Sequence, residues 1–169
     1  LSILALYSFL KISKPTAVLS TLTHLNIIVM IVRGFMPLPP RIVLRVECVL
    51  SQMIADESIN NMIFKLYPFF IRMLFKRADK LIAISKGVKD DLNSNFKVPL
   101  SKIDIIYNPA IPDNIGEYSK GPIEETFLEK KRNYHLILGV GRLTRQKGFD
   151  TLIKAFHYLS DKSTQLVIV

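Results

Sequence analysis

Residues Leu136–Phe156 read LILGVGRLTRQKGFDTLIKAF: a short apolar run, two glycines, a basic loop and an amphipathic stretch. The run Leu136–Val140 predicts a buried strand that ends at Gly139-Val140-Gly141. A loop carrying Arg142, Arg145 and Lys147 follows, and Gly148 leads into a helix. On that helix Phe149, Leu152, Ile153, Phe156 and Leu159 recur at helical spacing, so one stripe docks it against the sheet. Docking in that sense turns the helix start back toward the carboxyl end of the strand. Unpaired backbone N–H groups, the positive end of the helix dipole and two or three cations would then converge, a combination suited to a phosphate or diphosphate.

The same alternation runs through the rest of the chain. Thr16–Ser20, Arg41–Val46, Lys80–Ile84, Ile103–Tyr107 and Gln165–Val169 are further β-branched apolar runs, most of them separated by helix-length segments. Continuous apolarity, as in LIAI and LVIV, predicts strands buried on both faces beneath covering helices. The fold class is therefore α/β, a doubly wound parallel sheet of Rossmann-like type. Lys14-Pro15 stops a first helix, and Leu38-Pro39-Pro40 punctuates a second. The stretch from Asn108-Pro109 to Asn133, with Gly116 and Gly121-Pro122, lacks either pattern except for the approach helix EETFLEKKRNY. The organisation expected is a partial amino-terminal domain over residues 1–112, a connector over 113–133, and the start of a second Rossmann-like domain over 134–169. Two strands and one helix cannot bury their apolar faces, so that second domain is expected to continue past Val169.

Length and composition bound what such a chain can do. Its 169 residues are 49% apolar and 22% charged, with 7 Gly and 9 Pro, which excludes disordered and low-complexity classes. A single cysteine, Cys48, and three scattered histidines offer no internal disulfide and no zinc spacing. A reducing compartment and no metal are expected. The longest uncharged run, Pro15–Val32, gathers Ser20, Thr21, Thr23, His24 and Asn26, and reads as strand, polar loop and helix rather than as a membrane span. The net charge of +9 splits into +6 over 1–77, −1 over 78–118 and +4 over 119–169. By itself that surplus fits nucleic acid, anionic lipid or a phosphorylated small molecule.

Two familiar phosphate loops fail. Thr144 stands where G-x-G-x-x-G needs its third glycine, and G-x-x-x-x-G-K-[ST] has no match. Cations must supply most of the affinity. The spelling G-R-L-x-x-x-K-G-x-x-x-L-I-x-A-F over Gly141–Phe156 resembles the opening of the carboxyl-terminal domain in retaining glycosyltransferases of family 4, which have the two-Rossmann-domain GT-B fold. RADKLIAISKGVKDDL resembles the last strand and helix of that family's amino-terminal domain, and KIDIIYNPAIPDNI its passage into the linker. KPTAVLSTLTHLNIIVMIV and RIVLRVECVLS resemble its earlier strands more loosely.

The resemblance implies an enzyme, a glycosyltransferase of hexosyltransferase type. It would transfer a sugar from a nucleotide-diphosphate-sugar to a saccharide or lipid-linked saccharide at the cytoplasmic membrane face. It implies that Arg142 and Lys147 hold the diphosphate beside the Gly141 backbone, without cofactor or obligatory metal. It also implies that the E-x7-E pair lies beyond Val169 and the first strand before Leu1, so that this fragment alone is expected to be inactive. Many relatives read R-E near Arg45, where this chain has Arg45-Val46-Glu47-Cys48.

Acceptor-side candidates follow from strand ends. Thr21, Thr23 and His24 lie just beyond the run ending at Ser20, where open α/β sheets bind ligands, and His24 could contact or deprotonate an acceptor hydroxyl. Capping of the next helix is the alternative role. Ser85, just after KLIAI, has the same placement and the same alternative, while Asp90 and Asp91 read as a solvated helix face. Met62–Arg77, MIFKLYPFFIRMLFKR, contains no acidic residue and sets Lys65, Arg72 and Lys76 on one helical stripe, with a kink expected at Pro68. It is either an interfacial helix on anionic lipid or, the preferred reading, a core helix with a basic outer stripe. Two rivals to the enzyme stand: a non-catalytic remnant of the fold, and a basic nucleic-acid-binding module. The second needs cations interleaved with stacking aromatics, whereas Phe64, Phe70 and Phe156 occupy apolar-stripe positions.

Overall fold

The computed structural model describes residues 3–57, 62–109, 114–118, 120, 135–159 and 163–169. The chain divides into two compact units, Leu1–Ala110 and Ile111–Val169.

The first unit runs α1 (Ile3–Ser13), β1 (Ala17–Ser20), α2 (Thr23–Gly34), β2 (Arg41–Val46), α3 (Leu50–Glu57), α4 (Tyr67–Leu74), β3 (Lys80–Ala83), α5 (Lys86–Ser94) and β4 (Ile103–Ile105). Its four strands form one parallel sheet in the order β1-β2-β3-β4. Local chemistry sets the boundaries. Lys14 takes φ 43° before Pro15, which ends α1. Asp79 ties β3 to β2: its Oδ2 accepts the Ile42 N–H at 2.7 Å, its own N–H donates to the Ile42 carbonyl at 3.0 Å, and Arg33 pairs with it at 3.0 Å.

The α/β class with parallel sheets is as expected, but burial is one-sided. Ile42, Leu44, Val46, Leu81, Ala83 and Ile103 are buried and share one cluster with Val29, Leu50, Ile71 and Leu92 from α2, α3, α4 and α5. Ala83 aside, each of these side chains contributes roughly 1.5–3 kcal/mol. On the opposite face Leu19 is 65% exposed and Val43 and Ile82 are half-buried. Strand order explains this. A sheet that grows in one direction through right-handed crossovers receives every crossing helix on the same face.

Met62–Arg77 departs from the single kinked helix expected of it. Met62–Leu66 is a 3-10 turn, Tyr67–Leu74 is α4, and Phe75–Arg77 is a second 3-10 turn. Pro68 sits in the first turn of α4, where a missing N–H costs nothing. It therefore starts a helix instead of bending one.

The second unit contains α6 (Ile115–Tyr118), β5 (His135–Gly139), α7 (Phe149–His157) and β6 (Thr164–Ile168), with β5 and β6 parallel. Phe149, Leu152 and Phe156 of the expected stripe are half-buried, while Ile153 and Leu159 are exposed. The approach helix expected over 124–134 lies outside the described residues.

Candidate functional site

Two groups of residues carry chemistry, one in each unit. In the second, β5 ends at Gly139 and the chain stays locked to β6, for the Gly141 N–H donates to the Val169 carbonyl and the Val169 N–H to the Gly139 carbonyl, both at 2.9 Å. Gly141 adopts φ 155°, which side chains rarely tolerate. A Cβ there would stand 3.4 Å from Cδ and Cε of Lys147, so the lysine stem lies across the glycine backbone. A Cβ at Gly139 would meet the Phe149 ring at 3.0 Å. Glycine at both positions thus lets the start of α7 close on the end of its strand.

Between them Arg145–Lys147 forms a 3-10 turn, and Gly148, at φ 64° and ψ 28°, redirects the chain into α7. No side chain caps α7. α7 begins at Phe149, whose ring would stand 3.5 Å from a Cβ at Gly141, so the helix start lies close to the carboxyl end of β5. Arg142 directly follows Gly141 and is exposed, as is Lys147, and the Arg142 carbonyl accepts the Thr144 N–H at 2.7 Å. Gly141 and Lys147 are therefore in contact, with Arg142 adjoining them. Two cations and unpaired N–H groups in this setting suit a polyanion.

In the first unit a cavity of about 200 Å³ opens at the carboxyl ends of β1 and β2. Thr23, His24, Arg45, Glu47, Cys48 and Met53 line it, with Phe64 and Tyr67 forming an aromatic wall. Met53 Sδ accepts weak hydrogen bonds from Thr23 Oγ1 at 3.9 Å and Cys48 Sγ at 3.8 Å. Arg45 is held by the Glu47 carboxylate and donates to Asn108 Oδ1 at 2.6 Å. Behind it the buried Asn26 donates from Nδ2 to the Arg45 carbonyl at 3.0 Å. Burial pushes the Cys48 thiol up, and the carboxylates of Glu47 and Asp91 push it the same way.

The capping alternative fails for Thr21 and Thr23, of which Thr23 lines the cavity. Leu22, at φ 70° and ψ 131°, occupies the N-cap of α2, and no side chain caps that helix. A non-glycine residue at such a φ stores on the order of 1–3 kcal/mol, strain that tends to gather at functional positions. Ser85 does cap: its Oγ accepts the Val88 N–H at 3.2 Å at the start of α5. It is not among the residues lining this cavity.

Asp91 corrects the sequence reading. Instead of lying on a solvated face it is buried, accepting the Ser51 N–H at 3.2 Å and the Asn95 Nδ2 at 2.8 Å, while Asp90 stays exposed. Helix α5 packs on α3, and its turn of about 100° per residue carries Asp91 toward the Ser51 N–H of α3 and leaves Asp90 outside. Sequence reasoning also missed Cys48, Phe64 and Tyr67 as parts of one cavity wall. Their convergence is tertiary, and no spacing rule signals it.

No family model matches the chain. It is 34% identical over 106 residues to the N-acetylgalactosamine-N,N'-diacetylbacillosaminyl-diphospho-undecaprenol 4-alpha-N-acetylgalactosaminyltransferase of Campylobacter jejuni, covering 63% of this chain and 26% of that protein. It is 28% identical over 114 residues to the O-antigen chain mannosyltransferase RfbU of Salmonella typhimurium, covering 68% and 28%. An uncharacterized glycosyltransferase of Methanocaldococcus jannaschii matches at 28% over 112 residues, covering 65% and 27%. The chain thus spans about a quarter of the length of these curated relatives. Sucrose-phosphate synthase from Thermosynechococcus elongatus superposes with a TM-score of 0.67 at 14% identity, over 98% of this chain and 40% of that one. That likeness shows the fold, a Rossmann-like α/β architecture of GT-B type. The homologues are named glycosyltransferases, which supports a transferase over the part of the chain they match. Among the described residues no helix is long and apolar enough to cross a membrane.

Proposed function

We propose that this chain is part of a retaining glycosyltransferase of family 4. It would move a hexose-type sugar from a nucleotide-diphosphate-sugar to a saccharide or lipid-linked saccharide in polysaccharide biosynthesis at the cytoplasmic face of a membrane. The observation that carries the reading is the Gly141–Lys147 contact at the carboxyl end of β5, with Arg142 adjoining and an uncapped helix start beside it. As the bond from sugar to phosphate breaks, the anomeric carbon gains oxocarbenium character and negative charge grows on the leaving oxygen. Cations already in place strengthen their interaction during that step, so they stabilise the transition state more than the bound donor. In this reading Arg142 and Lys147 hold the diphosphate, and no cofactor is needed.

The cavity of the first unit is assigned to the acceptor. In this reading His24, which lines the cavity, contacts an acceptor hydroxyl, and the support is its position there beside Thr23, itself anchored on Met53. The name of the Campylobacter relative, which specifies a diphospho-undecaprenol acceptor, supports a lipid-linked substrate class. Arg142→Ala and Lys147→Ala, each made in the active protein, are expected to lower kcat roughly 100- to 1000-fold, the usual cost of removing one charge-stabilising group. NMR of the product's anomeric proton tests retention of configuration. Near-normal turnover in both variants rejects the assignment, and an inverted product rejects the retaining mechanism.

A further inference from the structure

The segment preferred by sequence as a core helix leaves large apolar side chains in solvent: Met62 is 76% exposed, Leu66 57% and Phe69 62%. Its inner side is firmly built, with Ile71, Leu74 and Phe75 in the core. The outer side therefore has a graded character. Met62, Leu66 and Phe69 occupy its beginning, and exposed Arg72, Lys76 and Arg77 its end, with exposed Lys65 among the apolar group. No carboxylate occurs between Met62 and Ala78. Two residues of the same segment, Phe64 and Tyr67, form the aromatic wall of the first unit's cavity. The exposed apolar patch and the cavity are thus consecutive surfaces of one short element.

We infer that Met62–Arg77 is the surface by which this chain rests on an anionic lipid bilayer, its apolar beginning entering the interface and its cationic end meeting the headgroups. Choosing a bilayer over a protein partner rests on the lipid-linked acceptor proposed above, together with the charge complementarity of the segment. Apolar area buried at the interface and attraction to anionic lipid add for such elements. The arrangement sets the Phe64–Tyr67 wall of the cavity at headgroup depth, where a lipid-borne sugar can enter without leaving the membrane.

These 169 residues contain no tryptophan, so Phe69→Trp supplies a reporter, read as the difference from the unsubstituted protein, and Tyr158→Trp, in the second unit, a control. With vesicles containing phosphatidylglycerol, the reporter at position 69 should shift to the blue and be quenched by brominated lipid, while the control stays unchanged. Each basic residue near an anionic surface contributes roughly fivefold in binding, so Lys65→Gln with Lys76→Gln should weaken sedimentation with these vesicles about 30-fold. Equal binding to neutral and anionic vesicles, an unshifted reporter at position 69, or an unaffected double variant overturns the inference. The acceptor reading fails separately. Vesicle binding with turnover indifferent to His24→Ala supports the bilayer surface and removes the acceptor site, whereas loss of turnover in His24→Ala without vesicle binding does the reverse.

Discussion

Adding one methyl group at Gly139 tests whether glycine is there to let a helix start close on its strand. The new carbon would lie 3.0 Å from Cε1 of Phe149, 3.4 Å from Cδ2 of Leu152 and 3.6 Å from Cγ1 of Ile168. That is tighter than ordinary carbon–carbon contact at about 3.5–4.0 Å, so the ring must yield by roughly a few tenths of an ångström. Overpacking of this kind costs about 1–3 kcal/mol. Because Phe149 is only half-buried, a value near the lower end, about 1–1.5 kcal/mol, is expected for Gly139→Ala. With Phe149→Leu already in place the ring is gone, and the same methyl should cost less than about 0.5 kcal/mol, leaving a coupling near 1 kcal/mol. Native-state hydrogen exchange at the Gly141 and Val169 amides, which cross-link β5 and β6, reads the change as about fivefold faster opening in the single variant. Costs that simply add, within about 0.3–0.5 kcal/mol, would refute the packing argument.

Two further predictions concern the first unit. Cys48 should react with iodoacetamide more slowly in the folded chain than in urea at pH 8–9, because burial first and then Glu47 and Asp91 disfavour its thiolate. Glu47→Gln should speed the reaction, and a folded rate equal to the unfolded one would show the thiol to be unshielded. The unfolded chain releases this proton first, so the linked stability is present below the ordinary cysteine pKa of about 8.5 and is lost as pH rises above it. Cys48→Ser should flatten that decline in urea titrations. Asp91→Ala leaves the Ser51 N–H and the Asn95 amide without their acceptor, and should cost about 1–3 kcal/mol. Asp90→Ala, on the exposed side of the same turn, should stay within about 0.5 kcal/mol; comparable urea midpoints for the two variants would contradict the burial argument.

Six strand positions were legible because apolar runs bounded by polar or Pro-containing segments leave few alternatives, and their ends moved by only one or two residues. The contact between Gly141 and Lys147 was also within reach, since six residues of loop and a docked stripe constrain both. What could not be read depends on residues far apart in sequence. Arg45 is steadied by Asn108 across 63 positions, and neither residue signals the other. Asp91 looked solvated because its neighbour Asp90 is, and only the packing of α5 on α3 separates them. Met62–Arg77 was legible only in part: Ile71, Leu74 and Phe75 join the core as its composition suggests, yet the segment breaks into three short pieces and leaves Ile63, Leu66 and Phe69 exposed. Thr21 and Thr23 have ideal cap chemistry, but Leu22 takes the capping position with a backbone angle that no local preference anticipates.

The sheet of the first unit adds its strands in the order in which they are written in the chain, each hydrogen-bonded to the one just before it. A parallel sheet ordinarily makes early strands wait for distant partners. Here a ribosome emitting roughly 5–20 residues per second presents each strand with its successor within a few seconds. These strands can be laid down like courses of brick, and a pause in translation leaves the newest of β2, β3 and β4 already paired on one side, open only toward the strand still to come.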